Sequence, residues 1–264
     1  RKIKGISFVD DDGKVIFTGA AERFSDKELD ALPFPKRSKD IISKTKMHAL
    51  MCPPPSKQIN VATLLSSRGC PNNCQFCCSN TVWGRKVVFR NPKKVAEELK
   101  SVVDEFGTNA FFFSDLTFNC SKTHVIDLCN ELRKLKDLPC WYAMCTPTNL
   151  DDETIRIMRD AGCRKIGFGV ESLSNDNLKI LNKTQNSVQE QTNSIMSLCD
   201  KNGLLTKAYL IIGYPWETLD SLAEFQDKIT ILPADEIRIS YFTPFPGSPA
   251  YEEYKNLLVT KDWS

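Results

Sequence analysis

Residues 60–78 read NVATLLSSRGCPNNCQFCC. The opening run, Asn60–Ser66, is β-rich and apolar and reads as a buried strand. The loop after it carries Cys70, Cys74 and Cys77 in a C-x3-C-x2-C spacing, with Cys78 directly behind. A strand that runs into a cysteine-bearing loop puts those thiols at one edge of whatever sheet the strand joins.

Downstream the same kind of strand recurs. Ala110–Ser114 (AFFFS), Cys140–Thr146 (CWYAMCT), Lys165–Val170 (KIGFGV), Leu205–Ile212 (LTKAYLII) and Glu236–Phe242 (EIRISYF) are apolar runs separated by helical stripes. Asn91-Pro92 opens the first of those helices and Gly107 closes it, around Val95, Leu99, Val102, Val103 and Phe106. Val125, Leu128, Cys129, Leu132 and Leu135 stripe the second; Asp151 opens the third, with Ile155, Met158 and Ala161. Ser187 and Glu190 form a capping box for the fourth, and Leu219, Leu222, Phe225 and Ile229 mark the fifth. The result is six βα-type repeats. Continuous apolar strands are buried on both faces, and right-handed crossovers place them in one parallel sheet. An open doubly wound sheet and a partial barrel both satisfy this pattern. Either puts the active site at the C-terminal strand ends, where the cysteine loop lies.

Upstream, residues 1–59 read as a connector or arm, and residues 60–264 as the core domain. A hairpin is expected over Gly5–Phe17, turning at Asp11-Asp12-Gly13. Pro33, Pro35 and Pro53-Pro54-Pro55 then interrupt regular structure, so the arm should run extended over a neighbouring surface.

The 264 residues are 41% hydrophobic and 26% charged, with 35 basic against 33 acidic side chains and a net charge of +2. That balance gives no case for a nucleic-acid or membrane partner, and no apolar run is long enough to span a bilayer. The first residues lack a signal-peptide core, so a cytoplasmic location is expected. Eleven cysteines in such a chain point to metal or catalysis rather than to a disulfide framework. Cys129, Cys163 and Cys199 fall in or beside helical patterns and read as small buried hydrophobes.

Three metal readings compete for Cys70, Cys74 and Cys77. Structural zinc takes two separated pairs, and no second C-x2-C pair is present; His48 and His124 have no ligand-like spacing. An electron-transfer cluster needs four thiolates, and Cys78 adjoins Cys77 too closely for both to reach one cluster. Three thiolates on a four-iron cube leave one iron open to a substrate.

The motif resembles that of the radical S-adenosylmethionine (SAM) superfamily, including the aromatic Phe76 before the third cysteine. SSRGCPNNCQFC, the spacing to later segments and the ending TPFPGSPAYE are similar to its cobalamin-dependent class. The resemblance covers nearly everything from about residue 60. It implies a partial (β/α)6 TIM-type barrel with an N-terminal extended arm and hairpin. It also implies a [4Fe–4S] cluster on Cys70, Cys74 and Cys77 whose open iron chelates SAM. Reductive cleavage would give a 5′-deoxyadenosyl radical, used for methyl transfer, ring formation or rearrangement on a small-molecule or natural-product substrate. An external one-electron reductant such as flavodoxin or ferredoxin is implied, and cobalamin is admitted as a further cofactor. Residues 5–35 are similar to the connector that follows a cobalamin-binding domain. No D-x-H-x-x-G ligand motif occurs in the chain, so that domain would lie upstream of Arg1 or be lost, and the ending LLVTKDWS reads as mid-domain sequence. Methylthiolation of RNA or protein is the alternative within the superfamily; a non-catalytic zinc or iron–sulfur interaction protein is the alternative outside it.

Residue by residue, Phe113–Phe118 resembles the F-x-D-x-x-F segment, with Asp115 accepting from the SAM ammonium or else capping the loop. Gly167–Ser172 is similar to the G-x-E-S segment, which gives Glu171 and Ser172 to the ribose. Ile211, Ile212 and Gly213 resemble the adenine-packing turn, with one isoleucine turned to the core. Tyr241–Pro249 should close over the adenine side. Where the family often has an arginine five residues beyond the tryptophan, this chain has Thr146 after Trp141. Cys145 beside it either faces the barrel or is a buried thiol.

Overall fold

The computed structural model describes residues 3–44, 46–47, 59–183 and 188–260. The Pro53–Pro55 run, His48 and the Ser187 half of the expected capping box lie outside them.

Six parallel strands form one sheet: β1 (Ile59–Leu64), β2 (Ala110–Phe113), β3 (Cys140–Cys145), β4 (Cys163–Glu171), β5 (Leu205–Ile212) and β6 (Glu236–Tyr241). Each pairs with its neighbour in sequence, and the order never reverses. A doubly wound sheet reverses at a switch point; a barrel does not. The strand order therefore settles the fold as the barrel-type alternative. Lys46–Met47 adds one antiparallel strand outside β1, which the sequence reading did not foresee.

Five helices cover one face: α1 (Pro92–Phe106), α2 (Lys122–Leu132), α3 (Asp152–Asp160), α4 (Val188–Lys201) and α5 (Leu219–Ile229). Their starts follow local chemistry. Asn91 accepts from Lys93 N ahead of Pro92, and Asp151 accepts from Thr154 N. The helix-facing side chains Phe111, Phe113, Ala143, Cys145, Ile166, Phe168, Ala208 and Leu210 merge with Val95, Leu99, Leu128, Ile155 and Met158 into one core. Cys129, Cys163 and Cys199 belong to it as expected, and so does Cys145.

The alternate side chains face inward. Phe112 stacks on Tyr142 at 5.0 Å, and the Tyr142 and Tyr209 hydroxyls meet at 3.0 Å. At the N-terminal strand ends Lys165 and Lys207 both bond Glu236 and close the floor. Gly167 has no alternative here: a Cβ would sit 2.1 Å from the Tyr142 hydroxyl.

The arm begins with the expected hairpin, Ser7–Val9 against Val15–Phe17. It is less extended than its prolines suggested. Ser25 and Glu28 form a reciprocal cap for a short helix, Asp26–Ala31, and a second covers Lys39–Lys44. The arm binds the first βα unit. Glu98 is buried between Arg37 and Arg90, each at 2.6 Å, and Arg37 also reaches Thr63 O at 3.0 Å. Asp26 and Asp30 accept from Phe89 N and Asn91 N, both at 2.8 Å.

Candidate functional site

The cysteine loop is closed at its base by a two-residue antiparallel pair, Ser67–Arg68 with Val88–Phe89. Gly69 makes the closure possible. Its φ is +101°, and a Cβ would lie 2.3 Å from Lys86 O. Within the loop Cys77 N donates to Cys74 O at 3.1 Å, a tight turn that brings the last two cysteines together. Cys78 caps the short helix Ser79–Trp83.

Two other segments fasten the loop. Gln75 N donates to Leu181 O and Asn182 Nδ2 to Asn73 O, both at 2.9 Å. Ala250 N donates to Gln75 O at 2.9 Å, and Thr81 Oγ1 to Gly247 O at 2.6 Å. The segment after β6 thus packs on the helix behind the cysteines.

The sulfurs are also addressed. Ser79 N donates to Cys77 Sγ at 3.4 Å, and Thr117 Oγ1 lies 3.5 Å from Cys70 Sγ. Burial pushes the Cys74 thiol up to about 11, opposed by the nearby Lys183 and reinforced by Glu171, Cys77 and Cys70. A thiolate at Cys74 therefore calls for a cationic partner. Among the described residues no three metal-ligating side chains converge on a point that one ion could fill. A four-iron cube does not require that, because each thiolate takes its own iron. Three free thiols on one clamped loop, with a backbone N–H donated to one sulfur and a hydroxyl beside another, fit such a cluster.

Asp115 sits just beyond β2 and is buried, at 3% exposure. Ser66 N and Ser66 Oγ donate to it at 3.0 and 2.7 Å, and Ser67 Oγ at 2.5 Å. Burial pushes its carboxyl up, and these donors offset part of that. The carboxylate ties the end of β2 to the first residues of the cysteine loop.

Glu171 ends β4 differently. The pairing of β4 with β5 slips here, so that Tyr209 faces Gly169 while Leu210 faces Glu171. Glu171 takes φ +62°, a left-handed backbone that costs a non-glycine residue about 1 kcal/mol or more. Such bulges re-aim a side chain. The carboxylate meets Lys183 Nζ at 3.0 Å, and Tyr214 Oη donates to the Glu171 carbonyl at 3.3 Å. Both partners of the ion pair are largely buried, at 13% and 11% side-chain exposure. Burial works against the Lys183 charge, but Glu171 and the Cys74 sulfur hold its pKa above the usual value. Ser172 points back into the chain, accepting from Ser174 N and Asn177 Nδ2, each at 3.2 Å.

Ile211, Ile212 and Gly213 follow on β5. Ile211 shares the inner side with Tyr209 by strand alternation, while Ile212 continues the helix-facing side of Leu210. Gly213 N and Tyr214 N both donate to the Glu217 carboxylate, which fixes the turn. Phe76 is half-buried in the cysteine loop. The described geometry thus brings the cysteine loop, Glu171 and Lys183 to one mouth at the C-terminal strand ends. Lys183, Ser66, Ser67, Thr117 and Tyr214 belong to it and carried no sequence signal that singled them out.

The model of the Radical SAM superfamily matches residues 64–229. An uncharacterized methyltransferase of Pyrococcus horikoshii is 28% identical over 90% of this chain and 50% of its own length. The anaerobic magnesium-protoporphyrin IX monomethyl ester cyclase of Cereibacter sphaeroides is 28% identical over 100% of this chain and 42% of its own. The chain thus spans about half the length of the curated relatives it matches. In fold it is similar to TsrM of Kitasatospora setae, a radical SAM methyltransferase solved with cobalamin and a [4Fe–4S] cluster bound. The TM-score is 0.77 at 21% identity, over 97% of this chain and 49% of that one. No helix among the described residues is long and apolar enough to cross a membrane. With a family model spanning the cysteine loop and the strand ends behind it, the chain belongs to the radical SAM superfamily.

Proposed function

We propose that this chain is the radical SAM core of an enzyme that cleaves SAM reductively and uses the product radical on a small-molecule substrate. The observation that carries the reading is the clamped loop of three free cysteines facing a buried carboxylate–lysine pair across one barrel mouth. When bound, the cluster and SAM supply a 5′-deoxyadenosyl radical. Cys70, Cys74 and Cys77 would hold the cluster. Glu171 would accept from the two ribose hydroxyls, for which an acceptor-only group is suited. Lys183, between Glu171 and Cys74, would meet the SAM carboxylate as a charge-assisted donor. Ile211 would face the adenine, and Phe76 would shield the loop. Asp115, Ser66 and Ser67 would keep the loop in register with β2. Residues 1–59 would act as a connector that stiffens the first βα unit, with residues 60–264 as the catalytic core.

The relatives named as methyltransferases and as a ring-forming cyclase support methyl transfer or ring formation as the outcome. A cobalamin ligand motif of the D-x-H-x-x-G type is not in these 264 residues, so no step is assigned to cobalamin here.

Anaerobic reconstitution tests the reading. About four irons per chain are expected, and dithionite with SAM should yield 5′-deoxyadenosine. One zinc per chain with no iron–sulfur absorbance would favour a structural metal instead. A Cys74→Ala protein that still made 5′-deoxyadenosine would sink the proposal.

A further inference from the structure

The radical chemistry needs an electron from outside, and the surface next to the cysteines carries an excess of cations around an apolar centre. We propose that the face formed by Arg23, Val82, Trp83 and Lys86 is the docking surface for an acidic one-electron carrier protein. This rests on the three-cysteine reading above and adds the place where the electron enters.

Position comes first. The helix Ser79–Trp83 starts at Cys78, and its first N–H already bonds Cys77 Sγ at 3.4 Å. It ends at the surface five residues on, about 7.5 Å along its axis. Its end is also bonded back: Cys70 N donates to Gly84 O at 3.2 Å. Arg85 Nε and Nη2 reach Pro71 O at 3.3 and 3.2 Å. A partner resting here touches groups in direct contact with two of the three cysteine-bearing residues.

The chemistry of the face is that of a docking patch. Val82 is 63% exposed and Trp83 42%, so the centre is apolar. Arg23 reaches over from the arm to Val82 O at 3.3 Å. The Arg68 guanidinium lies 5.6 Å from the Trp83 ring and 5.9 Å from Phe24, with its Nε buried and unbonded among the described residues. Between the arm and the helix a cavity of about 410 Å³ opens, lined by these side chains and Lys86. Its lining carries Arg23, Arg68 and Lys86 against the single carboxylate Glu22. Asp26, the next acid, is bonded to Phe89 N. A chain of net charge +2 has concentrated an excess of cations here. Such a field steers an acidic partner and sets its orientation, and an aromatic centre with arginine at its edge is the composition of a binding hot spot. In the step served, one electron leaves the carrier's reduced centre and one enters the cluster, taking it from the 2+ to the 1+ state. No bond forms or breaks.

The test uses the reconstituted chain and a variant carrying Arg23→Glu and Lys86→Glu; Arg23 bonds only the far end of the Ser79–Trp83 helix, and Lys86 meets the loop through its backbone, which the substitution keeps. Cluster bleaching is followed by anaerobic stopped flow without SAM, with either reduced flavodoxin or dithionite. The expected result is a flavodoxin rate that falls roughly tenfold or more in the variant at low salt. The dithionite rate should not change. The wild-type flavodoxin rate should fall as salt rises, and the variant should lose that slope. Flavodoxin binding to the cluster-free proteins, measured by calorimetry, should weaken in parallel. Equal rates for the two proteins, or equal losses with both reductants, would overturn the proposal. So would a variant that changes only the sedimentation of the chain, which would make the face an interface between copies. Failure to assemble a cluster that dithionite can reduce would instead count against the proposed function.

Discussion

Asp115 and Glu171 are both carboxylates at C-terminal strand ends, and both come from segments that look like SAM contacts in the sequence. Their surroundings separate them. Asp115 is enclosed by three donors from Ser66 and Ser67, all from its own chain, and holds the cysteine loop to β2. Glu171 is placed on a left-handed backbone at a bulge and bonded by one lysine. The Asp115 carboxylate is bonded by side chains and backbone of the cysteine loop; the Glu171 carboxylate, proposed above to take the ribose, is bonded by Lys183. Two acids from similar-looking strand-end segments thus stand in different surroundings, which sequence alone does not separate.

The contrast gives opposed expectations. Asp115→Ala leaves three donors without an acceptor, at a cost of ~2–4 kcal/mol in unfolding free energy. Urea titration should show this, and SAM affinity per assembled cluster should be nearly unchanged. Glu171→Gln should reverse the order. Loss of charge-assisted bonds of ~1.5–3 kcal/mol weakens SAM binding roughly tenfold to a hundredfold. Stability falls by only ~1 kcal/mol, because the amide oxygen still accepts from Lys183. Equal losses of stability and of SAM affinity in both variants would erase the distinction.

Two smaller effects sharpen it. Lys183→Met should weaken SAM binding by about tenfold, and by less than that when Glu171→Gln is already present, since the two residues act as a pair. Additive losses would mean that the two residues act on SAM independently. Tyr214→Phe removes the hydroxyl that fixes the Glu171 carbonyl, and SAM affinity should drop a few-fold, corresponding to ~1 kcal/mol. No change would show that the bulge holds Glu171 unaided.

Much of this was legible in the sequence. The strands fall close to the apolar runs, and β5 spans the expected Leu205–Ile212. Continuous apolar runs need no tertiary information to be read, because both faces are buried. The cysteine loop was legible from spacing alone. Barrel against open sheet was not legible from pattern, because the two differ only in whether the strand order reverses. Nor was Lys183. It sits in a polar run, ILNKTQN, where a surface lysine and a buried one look alike. Its role appears only when the turn after Leu178 brings it back beside Cys74 and Glu171. Ser66 and Ser67 read as the ragged end of a strand, and their hydroxyls acquire meaning only from Asp115, 49 and 48 residues away. The arm's short helices were hidden by its prolines, although the Ser25–Glu28 cap was there to be read.

The central claim is that the three-cysteine loop presents an open iron to SAM. Electron paramagnetic resonance of the reconstituted, dithionite-reduced protein tests it directly, with SAM labelled by ¹⁵N at its amino group. SAM is expected to shift the cluster signal, and the label to replace a ¹⁴N coupling with a ¹⁵N one. A signal that SAM leaves unchanged, from a protein that calorimetry shows to be SAM-bound, would contradict the account.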